Sequence, residues 1–77
     1  MVTVEDIKRI AKTGEHLVFG NKEFWVYKNT DSYDVPYWCL SYFERGKGGW
    51  SSPFAQRLTS TVIQRMIKTI EETYGHN

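Results

Sequence analysis

The sequence predicts an α+β fold in the order α-β-β-β-α, a three-stranded antiparallel sheet with two helices packed mainly on one face. Three observations carry this expectation. Apolar residues recur at helical spacing near both ends of the chain, and β-prone runs separated by turn formers occupy the middle. Eleven of the twelve aromatic residues lie between Phe19 and Phe54, where pleated strands accept large side chains most readily. At 77 residues, the chain reads as a single domain spanning residues 1–77.

The first helix is expected at roughly residues 4 to 13. Thr3 and Asp6 form a capping box, with Val2 and Ile7 at the positions of a hydrophobic staple. Val4, Ile7, Ile10 and Ala11 recur on one face, and Gly14 supplies a left-handed stop. Leu17-Val18-Phe19 and Phe24-Trp25-Val26-Tyr27 then flank Gly20-Asn21-Lys22-Glu23, which reads as a hairpin. A polar loop at Asn29 to Asp34 leads to Pro36 and a third strand, Tyr37 to Glu44.

Arg45-Gly46-Lys47-Gly48-Gly49 is expected to break that strand. Trp50-Ser51-Ser52 adds at most a short extended segment, and Pro53 suits the N1 position of a helical turn capped by Ser52. In the C-terminal helix Val62, Ile63, Met66, Ile67, Ile70 and Tyr74 trace one apolar stripe. Leu58 and Ile63 form a second staple around a Thr59 cap, and Gly75 ends the helix. The tail His76-Asn77 is expected to fray.

Composition narrows the function. Ten basic and nine acidic side chains nearly cancel, unlike the strongly basic balance of a general nucleic-acid binder. The charge is nonetheless polarised, since Arg45 to Lys68 contains five positive residues and no acid. A single cysteine cannot form an internal disulfide, and no signal peptide or membrane-length apolar run is present, so a cytoplasmic location is expected. The two histidines are far apart, and neither lies in a metal-ligand or triad pattern. Cys39 reads as an inert strand thiol. The expectation is therefore no enzyme, no metal and no cofactor.

The aromatic residues carry the functional argument. A sheet with one buried face needs large apolar groups only at alternate positions. Phe24, Val26, Trp38, Leu40 and Tyr42 make one set, assigned to the core. Trp25, Tyr27, Tyr37 and Phe43 fall on the other face as a surplus, which either stays open or is covered by the Trp50 to Phe54 segment. With Arg45, Lys47 and Trp50 they are the candidate partner-binding residues, because Trp, Tyr and Arg dominate binding energy at interface centres. The glycine-rich Arg45 to Gly49 stretch does not match a phosphate-binding loop and reads first as a turn.

Two functional expectations follow. The order α-β-β-β-α is similar to that of double-stranded-RNA-binding domains, which implies a nucleic-acid surface at Arg45, Lys47, Arg57, Arg65 and Lys68. Ser51 to Arg57 stands where those domains carry a lysine-rich motif, so this is the second reading. The first is a small protein-binding module without chemistry of its own. In size and style it resembles the phage or mobile-element inhibitors, anti-CRISPR proteins among them, that disable a host defence or nucleic-acid-handling complex. Its expected partner is a larger protein or ribonucleoprotein, with a second copy of the chain as a further candidate and no membrane.

Overall fold

The computed structural model describes residues 2–75, and its helices follow from local sequence. Helix α1 spans Val4–Thr13, with both halves of its capping box formed: Asp6 N–H donates to Thr3 Oγ1 at 3.1 Å and Thr3 N–H to Asp6 Oδ2 at 2.9 Å. These bonds hold the Asp6 carboxyl below its ordinary pKa. Gly14 closes the helix in the left-handed region, its N–H donating to the Ile10 carbonyl. Helix α2 spans Ser60–Tyr74 behind the Thr59 cap, with Gly75 following in right-handed backbone. Val2, Ile7 and Ile63 are buried and Leu58 packs against the same cluster, as the two staples require.

Between the helices run β1 (Leu17–Phe19), β2 (Lys22–Thr30), β3 (Pro36–Glu44) and β4 (Gly48–Ala55), all antiparallel and adjacent in chain order. The observed order is thus α-β-β-β-β-α. The α+β class stands, and the expected three strands are corrected to four.

The missed strand has a physical explanation. Gly46 and Gly48 take φ of 87° and 90°, and Lys47 N–H donates to the Glu44 carbonyl at 3.0 Å. The glycines therefore turn the chain back onto β3, where a strand break was expected. Pro53 is not the first residue of a helical turn, nor is Ser52 its cap, because both lie within β4. Arg45 N–H donates to the Asn21 carbonyl at 3.0 Å, so main-chain groups of odd-numbered β3 residues face β2. Cys39↔Pro53 is then a non-hydrogen-bonded pair, and the N–H that proline lacks would have pointed outward from an edge strand. Two further bounds shift: Lys22 and Glu23 extend β2 at its start, and Asn29 and Thr30, read as loop, extend its end.

Both helices cover the same side of the sheet. Ile7 and Ile10 of α1 and Ile63, Met66, Ile67 and Ile70 of α2 pack with Phe24, Val26, Leu40 and Tyr42 into one core. Trp38 joins its margin, as the alternation predicted. A register shift between Trp38 and Cys39 leaves Phe54 as an extra residue, so that Phe54 and Ala55 both pack against the helical side. Tyr74 closes the far end of α2 by stacking on Phe19, with centroids 4.3 Å apart.

An open aromatic sheet face as candidate binding site

Strand alternation places Val18, Glu23, Trp25, Tyr27, Tyr37, Cys39, Ser41, Phe43, Ser51 and Pro53 on the face away from the helices, and no described element lies over it. The register orders them in rows across the strands. Val18, Glu23, Phe43 and Gly49 make one; Trp25, Ser41 and Ser51 the next; Tyr27, Cys39 and Pro53 the third; Asn29 and Tyr37 the last.

Large rings on β2 thus stand beside small residues on β3. Cys39 and Ser41 are buried between their neighbours, 4% and 2% exposed, although the face is open. The Ser41 and Ser51 hydroxyls share a hydrogen bond, and Tyr27 OH donates to Ser51 Oγ at 3.3 Å. A polar seam therefore ties three strands together beneath the rings. Trp25, Tyr27 and Tyr37 are half-buried, and burial pushes the Tyr37 phenol above its ordinary pKa. Phe43 remains 42% exposed because Gly49 opposite it has no side chain.

His16, just before β1, lies flat on Trp25 with ring centroids 4.3 Å apart, and its Nδ1 is 3.1 Å from Glu23 Oε2. Val18 is 63% exposed two residues further on. Neither stood out in the sequence as a site residue, yet both share the face of Trp25, because Val18 pairs with Glu23 and His16 lies two residues before it.

The other candidates separate. Trp50 does not join the face: it pairs with Tyr42 in register, and its ring stands 5.4 Å from the Tyr42 ring on the helical side. Of the two alternatives for this face, cover by residues 50–54 does not form, because those residues lie in the fourth strand of the sheet itself.

Arg45 and Lys47 lie in the β3–β4 turn. Lys47 Nζ is 3.4 Å from Glu44 Oε2, whereas Arg45 makes no ion pair among the described residues. Arg45 lines a shallow pocket of about 90 Å³ with Val18, Lys22, Glu23 and Phe43, where the two hairpin turns meet at one end of the open face. Arg57 follows the opposite end of β4, about 25 Å away by strand geometry. Arg65 lies 5.6 Å over the Phe54 ring, and Lys68 lines a groove of α2 with Glu71 and Glu72. The five basic residues are therefore dispersed.

At the opposite end of the open face, the loop from β2 to β3 is tightly tied. Asp31 Oδ1 accepts from the N–H groups of Tyr33 and Val35 at 2.8 and 2.9 Å, and Asp34 sits at φ 62°. Tyr33 stands at its tip, 85% exposed. Tyr33 has no signal in the sequence beyond its place in a polar, turn-forming loop.

Among the described residues, no group of three or more His, Cys, Asp or Glu is placed to hold a metal ion, and no helix is long and apolar enough to cross a membrane. His76 and Asn77, expected to fray, lie outside the described residues. No protein-family model matches the chain, and comparison with curated proteins and with solved structures gave no match.

Proposed function

We propose that the protein is a non-enzymatic binding module that occupies the surface of a larger protein or ribonucleoprotein through its open sheet face, in the manner of small phage or mobile-element inhibitors. The observation that carries this reading is the placement of Trp25, Tyr27, Tyr37 and Phe43 on a sheet face that neither helix covers. Contiguous aromatic surface of this kind marks interaction sites. Its rings are held by stacking and a serine seam, so little side-chain freedom is lost when a partner packs against them.

Arg45 at the margin adds a charge free to meet an acidic group on that partner. The double-stranded-RNA-binding alternative has less support, since the fourth strand breaks the topological likeness and the basic residues are not gathered on one surface.

The test is capture of a partner from host lysate by wild-type protein and by Trp25→Ala and Tyr37→Ala, each checked by circular dichroism. Folded variants that lose the partner support the reading. Folded variants that retain it overturn the reading, as does a salt-sensitive gel shift of generic double-stranded RNA that persists without any protein partner.

A further inference from the structure

The charges around the open face are separated along the strands. Arg45 marks the end where the hairpin turns meet and forms no ion pair among the described residues, while Glu23 beside it is engaged by His16. Asp31 and Asp34 mark the other end, flanking Tyr33. One end is thus a pocket with unpaired positive charge, and the other a tied loop with an exposed ring and negative charge.

We propose that, in the absence of a larger partner, the open face closes on a second copy of this chain. This rests on the reading of that face as a protein-binding surface, and names its resting occupant. Two sheets facing each other across a two-fold axis must have that axis in the plane between them. If it ran along the strands, hairpin end would meet hairpin end and like charges would oppose. With the axis across the strands, each Asp31–Asp34 loop lies over the other copy's Arg45 pocket, and Trp25 and Tyr27 meet their counterparts near the axis. Charge complementarity selects this second arrangement.

The surface is sufficient but small. Four strands about 4.8 Å apart and averaging about 25 Å in length offer roughly 450 Å² per copy, and the loop contacts bring the total to about 1,000 Å². That is the lower end for a specific interface. A weak dimer that a better-fitting partner displaces is the expected behaviour.

Sedimentation equilibrium of the whole chain from about 5 to about 500 μM tests the proposal. Wild type is expected to rise from its 9.1 kDa monomer mass toward twice that value, and to shift back toward monomer in high salt. Arg45→Glu and Asp34→Lys are each expected to weaken the dimer at least about tenfold, and their equimolar mixture to restore it, because both loop-to-pocket contacts regain opposite charges. Asp34→Asn, which left-handed backbone accepts, should weaken it by a smaller factor and guards against distortion of the loop.

Wild type that stays monomeric throughout overturns the proposal, as do single variants that dimerise unchanged or a mixture that fails to recover. Partner capture that depends on Trp25 in a strictly monomeric protein would overturn the dimer alone. Partner capture indifferent to Trp25 would overturn the reading of the face.

Discussion

His16 lies flat on Trp25, with the two ring planes within 11° of parallel, and its Nδ1 reaches the Glu23 carboxylate on the same strand as Trp25. This contact braces the largest ring of the open face from the residue preceding the short edge strand, which pairs with β2 only at Lys22, Glu23 and Phe24. Both groups of the His16–Glu23 contact are more than a third exposed, so its value lies in orienting Trp25 more than in stability. His16→Ala should cost no more than about 1 kcal/mol in urea denaturation and leave the fold unchanged. A change in Trp25 fluorescence would report the lost stack; an unfolded variant would show that the edge depends on it.

Phe24 and Trp25 are sequence neighbours with opposite fates. Phe24 is fully buried under the helices, so Phe24→Ala should destabilise by about 3 to 5 kcal/mol, read as a lower denaturation midpoint. Trp25→Ala should cost much less while abolishing capture of a partner. Similar destabilisation by both substitutions would mean that the face away from the helices is a second core.

The Tyr42 hydroxyl donates to Glu44 Oε1, and Glu44 also meets Lys47. That hydrogen bond, with burial, pushes the Tyr42 phenol up to about 12; the same bond, with Lys47 nearby, holds the Glu44 carboxyl below its ordinary range against the opposing effect of burial. The Glu44 contribution to stability is therefore present above its ordinary value of 4.5 and lost as pH falls through the lower folded value. The Tyr42 contribution is present below 10 and lost as pH rises toward about 12. Denaturation midpoints of wild type and Tyr42→Phe should differ most at neutral pH and converge at both extremes; a constant offset would contradict the coupling.

Gly49 admits no side chain. An added Cβ would collide with the Tyr42 carbonyl oxygen and the Phe43 Cα, both main-chain atoms that cannot move aside without breaking the β3–β4 ladder. Gly49→Ala should destabilise by about 2 kcal/mol or more in thermal or urea unfolding. Addition of a methyl group at wild-type stability would show that β4 pairs in another register.

The helices were legible because their signals are local. The Thr3 and Thr59 caps, both staples and the apolar stripe of α2 each lie within a few turns of chain, and all appear in the fold. The division of β2 and β3 into two faces was equally legible, since alternation is a property of a single strand and Leu40 anchors it. The fourth strand was not. Gly46, Gly48, Gly49 and Pro53 are breakers by local rules, and only the neighbouring strand shows that the glycines make a hairpin and that the proline lies at a solvent edge.

Trp50 shows the same limit at one residue. Its type suggested a binding anchor, but its face depends on its pairing with Tyr42, a contact made only once β4 is in register. The openness of the aromatic face likewise rests on where the helices go, since either side of the sheet offers apolar surface. They cover the side of Phe24 and Leu40 because their isoleucines and Met66 interdigitate there. The other side, seamed by Ser41 and Ser51 and half-filled by rings, is left uncovered by either helix. Periodicity thus decides which residues share a face, while long-range packing decides which face is dry, because burial depends on what the rest of the chain brings to it.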